Sequence, residues 1–131
     1  MKITTVALRD QRVSPKKARL VIDVVRNRPV VEALTILTNL NKKSARIVRS
    51  LVLSGVDACK ARDYKAEEIF ISEAICQEGK RLKRFMVSAR GRSREYKKRM
   101  SHLKVTLSKI EKTEGKAKPK LKKEGKNGSK S

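Results

Sequence analysis

One histidine, two cysteines and four aspartates are the residues of this chain that catalysis or metal binding would most readily use. None falls in a pattern that supports either. His102 directly follows Ser101, and adjacent strand residues face opposite ways, so the two cannot act as nucleophile and base. Cys59 and Cys76 stand far apart, with no C-x-x-C and no second ligand pair for zinc. They read as two small buried hydrophobes in a reducing compartment. Asp10, Asp23, Asp57 and Asp63 are scattered. There is no P-loop, no H-E-x-x-H and no G-x-S-x-G. An enzyme is not expected, nor is a cofactor or metal.

The chemistry that is present is cationic. The stretch "KRLKRFMVSARGRSREYKKR", residues 80–99, holds six Arg, four Lys and a single acid, Glu95. Such a segment cannot form a core, because an unpaired buried charge is too costly. The whole chain carries a formal charge of +22 over 131 residues, which opposes compaction unless an anion offsets it. Nucleic acid supplies that anion densely. Arg gives bidentate donors to phosphate and stacks on bases, while Lys gives point charge. Interleaved Phe85, Met86 and Tyr96 suit folded RNA, with its exposed base faces, better than duplex DNA. An architectural DNA-binding protein with a basic β-arm is the alternative. No apolar run is long enough to span a membrane. The N-terminus "MKITTVALRD" has no secretory core, so the protein is expected to act where it is made.

The elements that must hold these cations follow from periodicity. "ITTVAL" (residues 3–8) is β-branched and reads as a strand. Ser14-Pro15 reads as a helix start, with Ser14 as cap. Ala18, Val21, Ile22 and Val25 then form one apolar face. Pro29 opens a second helix with Val30, Ala33, Leu34 and Leu37 inward. A third helix, capped by Asn41, places Ala45, Val48, Val52, Gly55, Val56 and Cys59 on its inner stripe. Gly55 costs about 1 kcal/mol in mid-helix and implies close packing against a neighbour. "EIFISEAIC" and "HLKVTLSKI" alternate as strands, with Ile69, Ile71 and Ile75 on one face and Leu103, Val105 and Leu107 on the other strand's face. The segment between them, about 78–101, reads either as a disordered loop or as a paired hairpin. Paired, its arms would reach roughly 40 Å, well beyond a body whose radius of gyration is roughly 13 Å. Residues 1–110 then form one domain including the hairpin. Residues 111–131 read as a basic, low-complexity disordered tail.

"RVSPKKARLVIDVVRNRPVVEALTIL", "NKKSARIVRSLV" and "EGKRLKRFMVSARGRSREYKKRMSHLKVTL" together resemble the bacterial-type large-subunit ribosomal protein twenty-two family, in order over roughly residues 6–108. The resemblance implies an α+β fold: three helices packed on a small three-stranded antiparallel sheet with a long protruding β-hairpin. It implies a structural constituent of the large ribosomal subunit that binds 23S-type rRNA and supports assembly. Its hairpin tip would line the nascent-peptide exit tunnel near the macrolide site. The implied partners are large-subunit rRNA, neighbouring ribosomal proteins and the nascent polypeptide, with no membrane and no homo-oligomer. The implied location is the ribosome, cytoplasmic or organellar. Carried over by position, Arg12, Ser14, Lys16, Lys17, Arg19, Lys97, Lys98, Arg99 and His102 are expected at rRNA. Lys80, Arg81, Lys83, Arg84, Arg90, Gly91, Arg92 and Arg94 are expected in the hairpin tip or tunnel region, Gly91 for a tight turn or close backbone approach. The chain departs from its relatives at Val87-Ser88, where Pro-Arg is common, and at Met100.

Overall fold

The computed structural model describes residues 1–111. Strand β1 (Lys2–Gln11) leads into helices α1 (Pro15–Val25), α2 (Val30–Asn39) and α3 (Lys43–Lys60). A 3-10 turn at Ala66–Glu68 then enters two long strands, β2 (Ile69–Val87) and β3 (Ser93–Lys109). The sheet is antiparallel in the order β1-β3-β2, so the last strand in sequence lies between the other two. This is the α+β architecture expected, and the paired hairpin is the reading that holds. The proposed tail lies, apart from Glu111, outside the described residues.

Each helix buries the face that its periodicity predicts. Ala18, Val21, Ile22 and Val25 of α1 are buried, as are Val30, Ala33 and Leu37 of α2. Leu34 is only partly covered. All six predicted inner residues of α3 are buried, together with Leu51. They meet Leu103, Val105 and Leu107 of β3 and Ile69 and Ile71 of β2 in one core. Each such Leu or Ile contributes about 1.5–3 kcal/mol when fully covered. Gly55 has the predicted reason: a Cβ there would come within 2.8 Å of Leu107 Cδ1.

Ile75 does not share a face with Ile71. Ile71 pairs with Leu107 and Glu73 with Thr106, so Ser72 is an extra residue in β2. A bulge of this kind reverses the alternation beyond it. Ala74 and Cys76 therefore point inward and Ile75 is only partly covered. Asn41 is not the α3 cap: Lys42 holds that position, with no side-chain capping bond. Ser14 does occupy the α1 cap position in extended backbone, yet its hydroxyl makes no capping bond. Both cysteines are buried free thiols, and burial pushes both of their pKa values up.

Candidate nucleic-acid interface

The core-facing side of β3 does not stop at the body. Leu107, Val105, Leu103 and Ser101 are buried along it, and the same alternation carries on through Arg99, Lys97 and Glu95. What changes is the residue type. On β2 a second bulge, between Glu78 and Arg81, marks the change. Gly79 sits there because a Cβ would lie 3.1 Å from both the carbonyl carbon and the oxygen of Met100. Arg81 donates to Glu78 at 2.8 Å, and this bond holds the Glu78 carboxyl below the usual carboxylate range. Beyond the bulge the pairing is regular out to Val87 and Ser93.

Where the arm leaves the body, three chain segments converge on a groove of about 780 Å³. Arg12, Ser14 and Lys17 come from the start of α1, Lys42 and Lys43 from the start of α3, and Lys97, Lys98 and Arg99 from the returning arm. Seven cations line it and no carboxylate does. Among the described residues none of the seven makes an ion pair. Both helices begin at this groove, neither has a side-chain cap, and neither has an acid in its first turn. Their free first-turn amides and the positive ends of their dipoles add to the cationic field. Leu20 and Val21 give the groove an apolar patch. A surface of this kind is suited to a polyanion.

The expected contact residues divide. Arg12, Ser14, Lys17, Lys97, Lys98 and Arg99 come together in the groove. Lys16 is exposed on α1 outside the groove lining. Arg19 turns to the edge of β2, where its Nε donates to the Cys76 carbonyl at 3.4 Å. Arg26 does the same at Ala74, at 3.0 Å. His102 faces a separate hollow with Arg9, Lys80 and Lys104, and its Nδ1 accepts the Asp10 amide at 3.0 Å. Sequence reasoning missed Lys42 and Lys43. Their place in the groove depends on α3 beginning beside α1, which no local pattern records.

The hairpin cations divide as well. Arg90 and Gly91 form the turn, both at positive φ, 60° and 68°, with Arg92 and Arg94 just beyond. Ser88 closes the turn by donating its amide, at 2.7 Å, and its hydroxyl, at 2.8 Å, to the Arg92 carbonyl. Ser88 is thus the clasp of the turn. Lys83 and Arg84 lie along the arm, opposite Lys97 and Tyr96. Lys80 and Arg81, grouped with the tip on sequence grounds, stand instead at the root, by the Gly79 bulge. Arg81 is paired six residues before Val87, about 20 Å along the strand.

The family model for ribosomal protein L22p/L17e matches residues 6–108. The chain belongs to this family. It is a structural large-subunit ribosomal protein rather than an enzyme. Among its relatives are the large ribosomal subunit proteins uL22 of Mesoplasma florum and Caldicellulosiruptor saccharolyticus. The first is 41% identical over 98 residues, covering 74% of this chain and 88% of the relative. The second is 38% identical over 112 residues, covering 85% and 92%. The uL22 protein of Staphylococcus aureus is 36% identical over 98 residues, covering 74% and 84%. Among the described residues, no helix is long and apolar enough to cross a membrane.

Proposed function

We propose that this chain is built into the large ribosomal subunit by holding large-subunit rRNA in the groove between α1, α3 and the returning arm, that it supports assembly there, and that its hairpin tip lines the nascent-peptide exit tunnel. One observation carries the rRNA part: seven cations from three separate segments line one groove with no carboxylate among them. Phosphates in the groove replace the missing counter-charges and accept from the uncapped helix starts. The tunnel part rests on family membership and on the length of the arm, which carries Arg90, Gly91 and Arg92 far from the body. The partners are then rRNA, neighbouring large-subunit proteins and, at the tip, the nascent polypeptide. The architectural DNA-binding alternative loses its support with the family assignment.

The test is titration of protein-free large-subunit rRNA with the full chain over a range of salt. Lys43→Gln, Lys97→Gln and Arg99→Gln together should flatten the dependence of log K on log salt by about three, one for each lost phosphate contact. An unchanged slope would remove the groove from the interface. Tunnel placement is tested separately, by deleting Leu82–Arg84: the macrolide response of purified ribosomes should change while rRNA binding by the body persists.

A further inference from the structure

The outer half of the arm carries an apolar surface that its own fold does not use. Phe85 is 71% exposed, Met86 60%, Val87 82% and Tyr96 43%. Cross-strand pairing of apolar side chains is the ordinary way to stabilise a two-stranded ribbon. Here every one of the four faces a polar or charged residue: Phe85 faces Glu95, Met86 faces Arg94, Val87 faces Ser93 and Tyr96 faces Arg84. The rings are therefore left without an apolar partner across the strands. Phe85 lies on the face of Lys83 and Lys97, and Tyr96 on the opposite face with Arg84 and Arg94. Each ring thus has cations on its own face.

We infer that Phe85 and Tyr96 are stacking platforms for unpaired nucleobases, one on each face of the arm, so that the arm is a two-sided wedge between RNA segments. This rests on the rRNA-binding reading above and names what the arm recognises: base faces, in addition to phosphate. The flanking charge decides between partners. A peptide-docking patch needs an apolar rim or complementary acids; here the one acid is Glu95 opposite Phe85, against Lys83, Lys97, Arg84 and Arg94, so a base on a ring can have its phosphates on the cations.

The experiment uses the full chain and protein-free large-subunit rRNA, with Phe85→Leu and Tyr96→Leu, which keep apolar bulk and remove the π face. Both positions are exposed, and unchanged thermal unfolding of the free variants confirms that the body is intact. Each variant should bind about 5- to 100-fold more weakly at every salt concentration, with the salt slope unchanged. In a Tyr64→Phe chain, where Tyr96 is the one remaining tyrosine, tyrosine emission should be quenched by RNA. Equal binding by wild type and both variants overturns the proposal while leaving the groove in place. A changed salt slope overturns it too, since the residues would then act through phosphate. Full RNA affinity with loss of a nascent-chain crosslink at the arm assigns the patch to peptide and overturns it. Failure of the wild type to bind the RNA overturns the underlying reading and this proposal together.

Discussion

Strands β2 and β3 each run through two regions of opposite character. In the body, Ile71 pairs with Leu107 and Cys76 with Leu103, all buried under the helices. In the arm, Arg81 pairs with Arg99 and Lys83 with Lys97, all four exposed among the described residues. Like charges directly opposite each other destabilise a ribbon. The alternation and backbone pairing are the same in both halves, so backbone geometry does not distinguish them. The difference is the residue type on the face, apolar in one half and cationic in the other; in the function proposed above, a polyanion lies against the second. The two β2 bulges, at Ser72 and at Gly79-Lys80, tune the halves separately. The first sets which side chains enter the core, and the second marks the exit from it.

The contrast breaks most plainly under truncation. Leu107→Ala should cost about 2–5 kcal/mol in urea unfolding, since Leu107 is fully buried over Gly55. Phe85→Ala, in the arm, should stay within about 0.5 kcal/mol. A similar loss for both would mean that the arm folds on its own apolar contacts. Next in size is the junction. Gly79→Ala should cost about 1–3 kcal/mol and disturb the arm's register, because the neighbour is Met100 backbone and cannot rotate away. Amide exchange at Arg81 and Arg99 would report the change.

A smaller effect has opposite signs in the two states. Lys83→Thr removes one member of a like-charged pair and should raise amide protection in the free arm by a few tenths of a kcal/mol. It should also weaken rRNA binding. Strong protection of residues 80–99 in the free wild type would remove the premise. The smallest effect belongs to the core thiols. Burial raises the pKa of Cys59 and Cys76, so the folded state keeps them neutral. Their contribution is full below the unfolded thiol pKa of about 8.5 and declines as pH rises past it toward the folded values. A Cys59→Ala, Cys76→Ala chain should lose that part of the alkaline decline in its urea midpoint.

Helices were legible because their faces are written in local spacing: Ala18 to Val25 and Ala45 to Cys59 needed no distant information. The hairpin was legible from two alternating segments with a charged run between. Ile75 was misread because a bulge at Ser72 shifts phase without a sequence mark such as Gly or Pro. The groove was half legible. Its α1 and arm cations came from motif position, whereas Lys42 and Lys43 join only through long-range packing. His102 and Arg19 were expected at rRNA with the groove residues, and they lie outside its lining, His102 at the Asp10 amide and Arg19 at the edge of β2.

The position of β3 has a consequence for the order of synthesis. It is the central strand and, among the described residues, lies after all the other elements. Lys2 waits for Ser108 and Ile69 for Lys109, so neither edge strand has its partner until the last strand emerges. A growing chain can form its helices early, since their hydrogen bonds are local, but the body of its sheet must close late. The arm is the exception: its ladder starts with Val87 opposite Ser93 beside the turn, so it needs no distant partner. The half whose pairing is local is the cationic one, and the half that enters the core is the one that must wait for the end of β3.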